Sequence, residues 1–206
     1  MKDKIRAAIL GMGTVGTGVY KIMMGQKDEF PHKAGVELEV AKILVRNAKK
    51  PREGVDMSIV TDKWEDIIND DSIDIIIEVM GGIEPARTYI TEALSRGKHV
   101  VTANKDLMAE HGHELLDAAS ANGCDLLFEA AVAGGIPIIR PLKQCLAANN
   151  ITEIMGIING TTNFILTKMT DEGMEFDEAL ALAQRLGYAE ADPTADVEGL
   201  DAGRKI

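Results

Sequence analysis

Residues 187–205 read Gly-Tyr-Ala-Glu-Ala-Asp-Pro-Thr-Ala-Asp-Val-Glu-Gly-Leu-Asp-Ala-Gly-Arg-Lys. Four carboxylates, Glu190, Asp192, Asp196 and Asp201, are expected to gather toward Lys205 across a turn at Pro193 and a helical stretch. Charge at this density between glycines makes a poor core and a good polar site. A lysine can pass a proton to a developing alkoxide, and a nearby carboxylate can hold an ammonium group. With Asp196 as helix cap, Asp201 and Lys205 fall four apart on one face, within pairing reach. A second cation such as Lys105 disfavours the ammonium form, so more of such an amine is neutral and free to take a proton near neutral pH; a carboxylate such as Asp201 favours the ammonium form. The plainer readings are a surface i,i+4 ion pair for Asp201 and Lys205, and a solvated loop charge for Glu190.

A second motif lies at the other end. Gly11-Met-Gly13-Thr-Val-Gly16 follows an apolar strand and opens a helix. In that context the first glycine makes a tight turn, the second admits a pyrophosphate and the third lets the helix pack closely. Thr14 and Val15, between those glycines, and Gly81, at the end of a later strand, count with the cofactor-binding positions. The second strand ends Leu44-Val45-Arg46-Asn47, without the acid that holds a ribose 2′-hydroxyl. Arg46 suits a 2′-phosphate instead, which favours NADP(H) over NAD(H). Read structurally, residues 46–52 are only a solvated loop. Lys105 falls just past the fourth strand, where open α/β sheets bind ligands. Asn159-Gly-Thr-Thr-Asn163 reads as a capped helix start with a supporting role near the site. The histidines His32, His99, His111 and His113 form no ligand set, and Cys124 and Cys145 lack metal spacing.

These motifs need a scaffold, and the chain can build one. Its 206 residues are 46% hydrophobic and only 4% aromatic, so Ile, Val, Leu, Ala and Met must fill the core. A net charge of −11 speaks against nucleic acid or an anionic membrane as partner. No apolar run is long enough to span a membrane, and a cytoplasmic location is expected. Strands are expected over 5–10, 38–45, 73–79, 99–102 and 125–130. Helices are expected over 14–24, after an Asp62–Glu65 capping box, from Pro85 in its first turn, and over 112–122. That alternation predicts a doubly wound, Rossmann-type parallel sheet over 1–130. A boundary is expected close to residues 129–137. Beyond it lies part of an α+β substrate domain over 131–206, with helices over 138–148, about 160–171 and 176–186 and a strand over 151–158.

The pattern Ala183-x₃-Gly187-Tyr188-Ala189-x₂-Asp192-Pro193-x₂-Asp196-Val197-x-Gly199-x-Asp201-x₃-Lys205 resembles the signature of homoserine dehydrogenases. The motifs at 11–16, 102–105, 129–137 and 159–163 resemble that family too, in order and without departure at a motif position. The resemblance implies NAD(P)-dependent, reversible interconversion of aspartate 4-semialdehyde and homoserine, on the way to threonine, methionine and isoleucine. By the same resemblance, Lys205 is the general acid/base, Asp201 its partner on the substrate and Glu190 the ligand of the substrate amino group. Lys105 resembles a second active-site lysine, and Gly187 a backbone approach to the cofactor. Glu129, Val132, Gly134 and Ile136 resemble a monovalent-cation (sodium) site. A homodimer is implied for the whole protein. Because members of the family continue well past this signature, the chain is expected to be part of a longer one, with weak cofactor binding and little turnover by itself. Another dehydrogenase of a small aldehyde or amino acid, or a dinucleotide sensor without turnover, remains open.

Overall fold

The structure, a computed structural model, describes residues 2–206. It divides into two compact units, one ending at Gly134 and the other spanning Gly135–Ile206. The first is built from β1 (Lys4–Leu10), α1 (Thr14–Gly25), α2 (Phe30–Ala34), β2 (Glu37–Leu44), β3 (Val60–Thr61) and α3 (Glu65–Ile68). It continues through β4 (Ile75–Glu78), α4 (Ala86–Ser95), β5 (His99–Thr102), α5 (Lys105–Ala121), β6 (Leu126–Leu127) and α6 (Glu129–Ala133). The sheet order is β3-β2-β1-β4-β5-β6 with every pair parallel. This is a Rossmann-type α/β sheet, and its order reverses between β1 and β4, the place where such sheets hold ligands.

The strand pleat sends alternate residues to opposite faces. In β1, Ala8 and Leu10 join the layer formed with Ile67 and Ile68 of α3, Ile90 and Leu94 of α4, and Leu107 and Leu115 of α5. Ala7 and Ile9 join the other layer, with Tyr20 and Met23 of α1. A register shift opposite Ala7 and Ala8 leaves Ala41 of β2 as an extra residue. The bulge lets Ala41 and Leu44 serve one layer while Val40 and Ile43 serve the other. Ile9, Ile43, Ile76 and Ile90 are completely buried, each stabilising the unit by about 1.5–3 kcal/mol.

Several expected boundaries move. α5 starts at Lys105 rather than 112, because Asn104 caps it through the Leu107 amide at 3.2 Å. The Asp62–Glu65 capping box does not form: no side chain caps α3, and the Lys63 amide donates to the Thr61 hydroxyl at 3.1 Å. Pro85 is the N-cap of α4 rather than a member of its first turn. β6 is cut to Leu126–Leu127 because the chain bends into α6, and β3, too short for a pattern, was not expected.

The second unit contains α7 (Gly160–Glu172), α8 (Phe176–Leu186), α9 (Thr194–Val197) and α10 (Leu200–Lys205). α7 and α8 close on Ile165, Ala179, Ala183 and Ala189, and Phe164 stacks on Tyr188 with ring centroids 4.7 Å apart. The helix expected over 138–148 is shortened to a helical start at residues 139–140 that runs into a π-type turn, Pro141–Cys145. The strand expected over 151–158 does not form either. A strand needs a neighbour for its backbone groups, and among the described residues none pairs with it. The regular elements of this part of the substrate domain, among the described residues, are helical.

Candidate functional site

Three glycines build the turn after β1. Gly11 has φ +100°, and a Cβ there would lie 2.9 Å from the Val79 carbonyl oxygen. A Cβ on Gly16 would lie 2.1 Å from the Gly11 carbonyl oxygen, so only glycine lets α1 approach this closely. At Gly13, by contrast, a Cβ would meet nothing within 4 Å. That open space lies at the N-cap of α1, where no side chain takes the first amides. Amides without a cap, at the positive end of a helix, suit a phosphate. The residues fit a dinucleotide's pyrophosphate, with Thr14 and Val15 supplying the first helical amides.

Beside this turn runs a cleft of about 420 Å³, lined by Gly11, Gly13, Arg46, Asp62, Gly81 and Tyr89 among others. The guanidinium of Arg52, also on its wall, closes its own loop, donating to the carbonyls of Lys50 at 2.8 Å and Asn47 at 3.3 Å. Arg46 lies exposed on the rim. Tyr89 is backed by Trp64, the rings stacked at 4.4 Å, and Trp64 Nε1 donates to Glu92 at 2.6 Å.

The floor of the cleft depends on a residue that motif reading missed. Glu78, at the end of β4, is 0% exposed. Its Oε1 accepts from the amides of Met80 (2.7 Å) and Gly81 (3.3 Å), and its Oε2 from the Thr102 hydroxyl (2.6 Å). Thr102 Oγ1 in turn accepts from the Asn104 amide at 3.0 Å, and Asn104 Nδ2 donates to the Gly82 carbonyl at 2.6 Å. The network ties the ends of β4 and β5 together and sets where α5 begins. Lys105 is its first residue, half-buried. A signal was present: an acid inside the apolar run Ile75–Val79 must find partners to be buried.

In the second unit Lys205 Nζ donates to Asp201 Oδ2 at 2.6 Å and to the Ile158 carbonyl at 2.6 Å. Asp201 is only 5% exposed, so this is not the surface ion pair of the plainer reading. The expected gathering of four acids on the lysine is corrected by the geometry. Asp201 pairs with it directly. Asp196, instead of capping α10, accepts from Asn159 Nδ2 at 2.7 Å. Asp192 is taken by Thr194, whose hydroxyl and amide hold its carboxyl below the usual carboxylate range. Glu190 is exposed, its carbonyl accepting from Gln184 Nε2 at 3.1 Å. Gly187, with φ +80°, is the left-handed C-cap of α8.

Of the four positions expected to hold a cation, Glu129 and Val132 lie on α6, Gly134 is its C-cap, and Ile136 falls in the second unit. Among the described residues no group of three or more His, Cys, Asp or Glu is placed to hold a metal ion.

Fold and glycine turn define a Rossmann-type α/β protein joined to a helical unit that carries an acid–lysine pair. The family model described as "Homoserine dehydrogenase, NAD binding domain" matches residues 11–129, and that described as "Homoserine dehydrogenase" matches 137–206. The chain is 53% identical to the homoserine dehydrogenase of Bacillus subtilis, over 98% of this chain and 47% of that protein. Its structure resembles the crystal structure of a homoserine dehydrogenase from Thiobacillus denitrificans, with TM-score 0.88 and 49% identity over 98% of this chain and 47% of that one. A hyperthermophilic archaeal homoserine dehydrogenase solved in complex with NADPH gives TM-score 0.81 at 33% identity, over 98% of this chain and 67% of that one. The chain belongs to the homoserine dehydrogenase family. It spans about half the length of the curated relatives it matches.

Proposed function

We propose that the protein carrying this chain interconverts L-aspartate 4-semialdehyde and L-homoserine with a nicotinamide dinucleotide, in the route to threonine, methionine and isoleucine. The observation that carries this reading is the nearly buried Asp201–Lys205 pair at 2.6 Å, in a chain of this family. When bound, the dinucleotide supplies the hydride. The chain supplies place and protons. Amides at the start of α1 hold the pyrophosphate, with Gly13 allowing the approach and Gly81 lining the same cleft. Lys205 gives its proton to the oxygen as the aldehyde becomes an alkoxide, and takes it back in the reverse direction. Asp201 keeps the lysine head in place and meets the substrate; Glu190 offers its carboxylate to the substrate ammonium. Lys105 as a second active-site lysine and Gly187 as a backbone approach to the cofactor rest on the family resemblance alone.

NADP(H) is preferred over NAD(H) in this reading. Arg46 is exposed on the cleft rim where an acid would hold a ribose hydroxyl, and its planar fork matches a phosphate. Arg46→Ala is expected to weaken NADPH binding about tenfold and leave NADH unchanged, the scale of one charged hydrogen bond. Calorimetric titration checks both. A monovalent cation held by Glu129 and by backbone oxygens at Val132, Gly134 and Ile136 rests on the resemblance alone; hard cations favour such oxygen donors. A melting series in sodium chloride against choline chloride tests it. A homodimer and a cytoplasmic location complete the proposal, the first checked by sedimentation; no helix among the described residues is long and apolar enough to cross a membrane. The decisive assay follows NADPH absorbance with aspartate 4-semialdehyde. Turnover with other small aldehydes and none with this one would overturn the assignment.

A further inference from the structure

Asn159 is 8% exposed and stands at the entrance of α7, where the two ends of its amide do different things. Oδ1 accepts from the Thr162 amide at 2.8 Å and from the Thr162 hydroxyl at 2.9 Å. That capping bond fixes which end is oxygen, so Nδ2 faces the opposite way. There it donates to Asp196 Oδ1 at 2.7 Å and to Asp201 Oδ2 at 2.9 Å. Two carboxylates brought this close repel one another, and a neutral amide gives each a hydrogen without adding charge. The same Asp201 oxygen accepts from Lys205 Nζ, whose other bond goes to the carbonyl of Ile158. Two consecutive residues thus hold the pair from both sides, Ile158 at the lysine and Asn159 at its carboxylate.

Capping alone does not require asparagine. Serine, threonine or aspartate would cap α7 as well. Aspartate would bring a third negative charge to the two acids, and serine would leave both without this donor. Only asparagine caps with an acceptor while turning donors on two acids at once.

We propose that Asn159 is the positioning residue of the Asp201–Lys205 pair: its Nδ2 binds Asp196 and Asp201 together, so that Asp201 holds Lys205 in one orientation toward the substrate oxygen. Two of the three Nζ donors are used by Asp201 and Ile158, and the third is left for that oxygen. The inference rests on the reading of Lys205 as acid/base and adds a residue that touches neither substrate nor cofactor. The charged groups on the elements around Lys205 are Asp201 and Arg204 on α10, Asp196 on α9 and Glu198 just after it; α7 carries no charge between Gly160 and Thr167.

The test measures kcat, KM and their pH dependence for homoserine oxidation in the native enzyme, for Asn159→Asp and Asn159→Ser, with melting temperatures alongside. In that direction the lysine must be neutral to accept a proton, so kcat rises with pH on one limb. An added carboxylate stabilises the ammonium form and moves that limb to higher pH. Asn159→Asp is expected to shift it up by about half to one pH unit. Asn159→Ser is expected to lower kcat about tenfold, the scale of one lost bond to a charged group, with KM for the dinucleotide unchanged. A serine variant with wild-type kcat, or an aspartate variant whose rate falls equally at every pH, overturns the proposal. A native enzyme without homoserine turnover would instead overturn the underlying reading of the site, which separates the two failures.

Discussion

The turn that faces the cleft of the first unit and the acid–lysine pair of the second are positioned by different means. Gly11 and Gly16 act through what they lack, since backbone passes within a distance that no Cβ tolerates, while Gly13 leaves open space at the start of α1. Behind them stand a six-stranded sheet and two apolar layers. The pair in the second unit has a much smaller apolar cluster nearby, Ile165, Ala179, Ala183 and Ala189. It is placed by hydrogen bonds among Asn159, Asp196, Asp201 and Lys205. Backbone placement tolerates no added atoms, whereas a side-chain network can keep its shape and still lose its chemistry when one group changes.

The sharpest way to break this comparison is Lys205→Ala. Turnover in the native enzyme is expected to fall about a thousandfold, within the range of general acid–base catalysis. Dinucleotide affinity, measured by titration, should stay within about twofold. A parallel loss of both would mean that the two sites are not separable in this way. Next in size is Gly16→Ala. Its methyl carbon would sit 2.1 Å from the Gly11 oxygen, so the turn must shift. Cofactor affinity is expected to drop about a hundredfold, near the upper end of what overpacking costs, and an affinity within threefold of the original would contradict it.

Smaller effects sharpen the contrast. Thr102→Val keeps the shape but removes the donor to buried Glu78 Oε2. An unpaired buried acceptor costs about 1–3 kcal/mol, so the melting temperature should fall by roughly 3–10 °C. An unchanged melting temperature would show that the Glu78 network does not hold the floor of the cleft. Acid should have the mildest effect. Lys4 holds the Glu39 carboxyl below its ordinary range, and Ser72 does the same for Asp70. Carboxyls lowered in the folded state stabilise it above their unfolded values, near pH 4, and lose that contribution as pH falls through the folded ones. Both are partly exposed, so the increments are small. Melting between pH 7 and 3 should steepen below about pH 4, and Glu39→Gln should flatten the curve.

Features that depend only on near neighbours along the chain are legible in the residues alone. The glycine turn, the apolar strands β1, β2, β4 and β5, the Asn159 cap of α7 and the four-residue spacing of Asp201 and Lys205 all follow from local geometry, and each stands close to where local rules put it. The strand expected over 151–158 failed because apolar character does not make a strand without a partner. The start of α5 was misplaced because Asn104 belongs to a network closed through Glu78, which lies on another strand. Only the tertiary structure could place Glu78 against Thr102, or turn Asn159 Nδ2 on Asp196 and Asp201. Those partners are 24, 37 and 42 residues apart in the chain. A turn or a cap is settled within a few residues; a buried charge is settled by whichever distant group the fold brings to satisfy it.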